Sequence, residues 1–287
     1  MSDRPRLGVA IRKTYAEFER HNASRFGAAL AFYIVFSVAP ILLFTIAIAG
    51  SILGREQAER EIIERVGSSI GTAPALAIAA MVSDAAARPV GWLATIFGVM
   101  TLYFGLSGVY RQIDDALRTI WREKKSGDAS TVAVIEKRVR SVLLVLGVVV
   151  VICLSVIADA VIAATGRYAG TRLLGAEWLW HTLSLLVSTL VLTVIFAAVF
   201  RYLPRARVTW RDVVLGAAVT AFLFVIGKFA LGFYLGKAAV GSAFGAAGSI
   251  VVVLLWSYWS AQIFFFGLEF THVYARGTRS ENSPTAS

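Results

Sequence analysis

The chain is poor in the residues from which most soluble chemistry is built. Of its 287 residues, one is a cysteine, three are histidines, and 16% are charged. A single Cys153 cannot close an intramolecular disulfide, and within an apolar run its thiol packs as a small hydrophobe. His21, His181 and His272 are scattered, with no carboxylate or thiol at metal-ligand spacing, which gives no metal site. No G-x-S-x-G elbow and no phosphate loop occurs, so no apparatus for soluble-type hydrolysis is visible, no cofactor is implied, and the reading is not an enzyme. Soluble domains carry roughly 25% charged residues. The shortfall excludes disordered, collagen-like and disulfide-framework classes and leaves a membrane protein.

What is present is apolar: 57% of residues are hydrophobic, and the mean hydropathy is +0.71. Six segments stand between charged stops, at Ala28–Ile52, Trp92–Tyr110, Ser141–Ala164, Trp178–Phe200, Val213–Tyr234 and Ser249–Val273. At about 1.5 Å per residue, each can cross a hydrocarbon core of about 30 Å as a helix with modest tilt. Runs apolar on every face, such as the one opening at Ser141, lack the alternation of a barrel strand. The expected fold is an all-α membrane protein of six transmembrane helices, with residues 28–273 as its membrane domain. Lys and Arg divide 20 to 7 between the two sets of alternate loops and ends, with Lys228 inside a span. By the positive-inside rule both termini are cytoplasmic, and the basic charge is explained without nucleic acid.

Outside the spans, residues 1–27 read as a cytoplasmic amphipathic arm. Leu7, Ile11, Tyr15 and Phe18 recur at helical spacing among Arg4, Arg6, Arg12, Lys13 and Arg20, as in a helix lying on an anionic leaflet. Past the second span, Val109, Ile113, Leu117 and Ile120 extend one stripe, which predicts an interfacial helix running along the membrane surface. Residues 53–89 predict an outer-face helical hairpin, and 274–287 a disordered cytoplasmic tail. Pro40 removes a backbone hydrogen bond within the first span and predicts a kink there. The Gly241–Gly248 loop reads either as a tight outer turn or as a re-entrant turn.

Ionisable groups at membrane depth carry the most functional information, because each costs several kcal/mol unless paired or hydrated. Asp159, Lys228 and Glu269 qualify. They read equally as the lining of a polar path or as structural ion pairs. With Tyr33, Ser37, Pro40 and Gln262 they form the candidate substrate path. Arg201 is the expected cytoplasmic-side partner of Glu269, and matched depths along their spans pair Asp159 with Lys228.

Three stretches are recognisable. Ala29-Leu-Ala-Phe-Tyr33 with Ser37 and Pro40, Gly108 through Trp121, and the run from Phe200-Arg-Tyr-Leu-Pro204 through Gly227-Lys228 to Gly267-Leu-Glu269 resemble the YihY/BrkB family of bacterial inner-membrane proteins. The resemblance spans nearly the whole chain. It implies a multi-pass inner-membrane location, a six-helix fold and a role in the cell envelope, formerly mislabelled ribonuclease BN. The leading reading is a transporter or lipid-handling protein whose substrate is an amphiphile or anionic lipid. The alternative is a scaffold recruiting an envelope protein partner through 53–89, and in either case membrane lipids are partners.

Overall fold

A computed structural model of the chain describes residues 7–86, 92–121, 177–202, 204, 208–237 and 247–281. Eight helices occur among the described residues: α1 (Leu7–Arg20), α2 (Ala23–Leu53), α3 (Arg55–Ile70), α4 (Thr72–Ala86), α5 (Trp92–Trp121), α6 (Glu177–Tyr202), α7 (Trp210–Lys237) and α8 (Gly248–Glu281). Four of them are long and apolar enough to cross a membrane, over Ala23–Ala47, Leu185–Tyr202, Trp210–Leu235 and Gly248–Arg276. The expected third span, Ser141–Ala164, lies outside the described residues. The expected second span is a helix but is not one of the four.

That helix, α5, is a single uninterrupted element of 30 residues. Its first two thirds are apolar and its last third carries Arg111, Asp114, Asp115 and Arg118. The surface-running segment expected after span two is therefore the end of the same helix. Neither proline nor glycine follows Gly108 to break it. Similarly, α2 runs through Pro40 without interruption, and α8 continues to Glu281, because Arg276-Gly-Thr-Arg-Ser-Glu holds no helix breaker stronger than one glycine. Residues 274–281, expected to be disordered, are accordingly helical.

The chain forms two compact units. The first comprises residues 1–17, 118–225 and 266–287. Within it, Ala10 of α1 packs on Phe270 and Tyr274 of α8, flanked by Leu215 and Val219 of α7. Phe196 of α6 meets Phe224 of α7 at a centroid separation of 6.0 Å, and Trp121 meets the His272 ring edge-on at 5.0 Å. Residues 267–272 of α8 are all buried.

The second unit comprises residues 18–117 and 226–265. Its core joins Val35 and Ile46 of α2, Ala77, Ile78 and Val82 of α4, Leu231 and Leu235 of α7, and Val252 and Val253 of α8. Gly71, at φ 100°, makes the single-residue turn between α3 and α4, and its N–H donates to the Gly67 carbonyl at 2.9 Å. A positive φ is what glycine adopts without steric cost. The two halves of this hairpin differ. Glu56, Arg60, Glu61 and Glu64 of α3 are exposed, whereas α4, at 15 residues and about 22 Å too short to span a bilayer, buries its apolar face in the core of the unit.

Candidate functional site

Tyr33 and Ser37 lie one turn apart on α2, and the structure brings both against α5. The Ser37 hydroxyl donates to the Tyr33 carbonyl at 2.8 Å, within its own helix. A Cβ on Gly105 would overlap Ser37 Oγ, and one on Gly108 would fall inside the Tyr33 ring. Gly105 and Gly108 therefore let α5 approach until a ring and a hydroxyl fill the space of two side chains, the small-residue packing by which helices associate in lipid. Pro40 lies one turn beyond Ser37 on α2.

Gln262 occupies a different place in the same unit. Its Nε2 donates to the Ser24 carbonyl at 3.2 Å and sits where a Cβ on Gly27 would be. Phe26 and Phe265 meet beside it at 6.3 Å. The candidate path residues thus divide along α2 between its first turns and its middle. Lys228 of α7 is half-buried and follows Gly227, whose missing side chain is replaced by the Trp259 indole and the Ile263 tip. Asp159 lies outside the described residues.

In the first unit, Glu269 is fully buried on α8, together with Thr271 and His272. Arg201, its nominated partner, closes the α6 to α7 connection: one guanidinium nitrogen donates to the Val208 carbonyl, and the group lies 5.5 Å from the centre of the Trp210 ring. Thr209 begins α7 by accepting from the Asp212 and Val213 N–H groups, each at 3.1 Å. Asp212 is buried in that first turn, where a carboxylate complements the helix dipole.

Two features lie outside the candidate path residues. The first is a reciprocal contact between α7 and α8. A Cβ on Gly216 would strike Thr271, and one on Gly267 would strike Thr220. Thr220 donates to the Gly216 carbonyl at 2.7 Å, and Thr271 to the Gly267 carbonyl at 2.8 Å. The motif Gly-x-x-x-Thr thus occurs once on each helix, antiparallel, with each glycine receiving the other helix's threonine. The repeated spacing was available as a signal. Gly232 of α7, by contrast, has nothing within 4 Å of where its Cβ would lie.

The second is Ser257 of α8. Hydroxyls on these helices fold back onto the carbonyl four residues earlier, as Thr14, Ser37, Thr45, Thr101, Thr220 and Thr271 do. The Ser257 hydroxyl is fully buried and, among the described residues, has no hydrogen-bond partner. Groups of three or more His, Cys, Asp and Glu side chains able to hold a metal are absent among the described residues.

The pattern of the family described as Virulence factor BrkB matches residues 14–287. A UPF0761 membrane protein of Rhodospirillum centenum is 24% identical over 271 residues, which cover 92% of this chain and 57% of that protein. The Putative ribonuclease-like protein YfkH of Bacillus subtilis is 22% identical over 264 residues, covering 90% and 92% respectively. The UPF0761 membrane protein YihY of Salmonella typhimurium is 28% identical over 170 residues, covering 55% and 52%. The chain spans about half the length of the Rhodospirillum and Salmonella relatives. No solved structure matches it. With helices throughout its described residues, four of them long and apolar enough to cross a bilayer, and a family match over nearly its full length, the chain is a membrane protein of the BrkB/YihY family.

Proposed function

We propose that this chain is an inner-membrane transporter or lipid-handling protein of the bacterial envelope, acting on an amphiphile or anionic lipid. The observation that carries the reading is α8. In a helix apolar enough to cross a membrane, Glu269 and Ser257 are both fully buried. A carboxylate at such depth costs several kcal/mol, and an unsatisfied hydroxyl about 1–3 kcal/mol, unless a function or a polar partner retains them. The substrate path comprises Tyr33, Ser37, Pro40, Asp159, Lys228, Gln262 and Glu269, with Asp159 and Lys228 as one ion pair and Arg201 and Glu269 as another. A ribonuclease activity is not part of the reading. The name of the Bacillus relative belongs to that protein, and water activation by clustered metal ligands has no counterpart among the described residues.

The test is reconstitution of the full chain into liposomes carrying head-labelled fluorescent phospholipids and entrapped ion indicators. Lipid movement between leaflets well above that of empty liposomes, and lost in Glu269→Gln and Lys228→Ala variants that still fold, is expected. Rates equal to those of empty liposomes for lipids and ions alike would overturn transport. The scaffold reading rests on the charged exposed face of α3, at Glu56, Arg60, Glu61 and Glu64, which offers an envelope protein a polar docking surface. For the Arg201 and Glu269 pair, a double-mutant cycle with Arg201→Gln is expected to show coupling above about 0.5 kcal/mol.

A further inference from the structure

The sequence stripe of α1 and its structural faces do not coincide. Ala10 and Thr14 are wholly buried, and Ala10 is seated against Phe270 and Tyr274 of α8. The Thr14 hydroxyl is spent internally, donating to the Ala10 carbonyl at 2.8 Å. Ala10 and Thr14, continued by the buried Phe18 one turn on, thus form the packed face of α1, while Ile11 and Tyr15, one turn apart beside that face, stay exposed at 44% and 60%. The rest of the outer surface carries Arg12, Lys13 and Arg20 against Glu19 as the one exposed carboxylate of the helix, and Arg25 is exposed in the first turns of α2.

The position of α1 fixes its level. It ends at Arg20, and a two-residue turn through Asn22, at φ 53°, leads into the membrane-crossing Ala23–Ala47 segment. The cluster that Ala10 forms with Phe270 and Tyr274 of α8, against which Leu215 and Val219 of α7 pack, lies in the Trp210 half of one such segment and the Arg276 half of another. A helix joined by a two-residue turn to a membrane-crossing helix, with an apolar shoulder and a basic outer surface, has the chemistry of an interfacial helix on an anionic bilayer.

We propose that α1 is a docked lipid-binding arm: Ile11 and Tyr15 enter the headgroup layer, and Arg12, Lys13 and Arg20 gather the phosphates of anionic lipids around the bundle. The occupant is the anionic leaflet, chosen by the excess of exposed cations next to exposed apolar side chains. The inference is independent of transport, since a scaffold would need the same attachment.

The test uses the full chain, with Cys153→Ser and a fluorophore on Glu19→Cys or Ala16→Cys, both exposed positions, in nanodiscs. Quenching by spin-labelled phosphatidylglycerol is compared with that by spin-labelled phosphatidylcholine at equal mole fraction. Each cation near an anionic surface strengthens attachment about fivefold, so phosphatidylglycerol should be enriched severalfold or more beside α1. The selectivity should fall toward one in Arg12→Glu/Lys13→Glu, whose exposed sites leave the thermal midpoint unchanged, and inorganic phosphate at matched ionic strength should leave it intact. Equal quenching by the two lipids, quenching by neither, selectivity that survives charge reversal, or displacement by inorganic phosphate would each overturn the proposal.

Discussion

At the scale of single residues, the informative positions are those where one atom replaces another. Gly105 is such a position, because the Ser37 hydroxyl occupies the space its Cβ would need. The next atoms a Cβ would meet, Ser37 Cβ and the Tyr33 carbonyl oxygen, are each 3.3 Å away and can give by tenths of an ångström. Gly105→Ala should therefore lose about 1–3 kcal/mol through overpacking. In a Ser37→Ala background, which removes the obstructing oxygen, most of that loss should disappear. Thermal unfolding in detergent of the two single variants and the double variant measures the coupling, and additive losses would show that the contact is not made. Tyr33 and Ser37 were legible in the sequence as polar groups in a span. That their counterparts are two glycines was not legible, because a glycine records nothing about what fills its place.

At the scale of elements, the reciprocal contact of α7 and α8 fixes their antiparallel register. Gly216 faces Thr271, and Thr220 faces Gly267. A Cβ built on Gly216 lies 3.0 Å from the Thr271 Cβ, against about 3.8 Å in a disulfide. The helices need ease apart by less than an ångström for a bond to form. With Cys153→Ser, the pair Gly216→Cys/Thr271→Cys should oxidise readily and protect both thiols from mass-tagging by maleimide polyethylene glycol, whereas Ala218→Cys/Thr271→Cys, with residue 218 exposed on another side of α7, should remain reactive. A reactive first pair would displace the register. On the sequence, α7 and α8 are recognisable as spans by length and apolarity. Their mutual face is not, because both are apolar around most of their circumference and amphipathicity singles out no side. On α1, periodicity marked Ile11, Tyr15 and Phe18 as one stripe, yet packing kept only Phe18 of it, buried with Ala10 and Thr14, and left Ile11 and Tyr15 exposed.

At the scale of the whole molecule, the prediction concerns orientation. Each of the four candidate membrane-crossing helices carries an arginine near the end expected to be cytoplasmic: Arg25 on α2, Arg201 on α6, Arg211 on α7 and Arg276 on α8. Near their other ends stand only Lys237 of α7 and, just past α2, Arg55 among the described residues. With membrane-impermeant maleimide on intact spheroplasts, Glu61→Cys should label, while Ser126→Cys and Thr209→Cys should react only after permeabilisation. Labelling of Ser126→Cys from outside would reverse the topology. The motifs of the sequence identified the family, and its composition determined that this is a membrane protein and where most of its long helices lie. Those properties follow from transfer of whole segments between water and hydrocarbon, a free energy summed along the chain. Only the tertiary structure decided that Ser37 meets Gly105, that α7 and α8 interlock through Gly216, Thr220, Gly267 and Thr271, that α4 joins a core instead of lying apart, and that Ser257 is buried with its hydroxyl unsatisfied among the described residues. The reason is that lipid is as apolar as a protein core, so burying a span in the bilayer or against a neighbour has nearly the same hydrophobic free energy, and shape rather than hydropathy selects the partner.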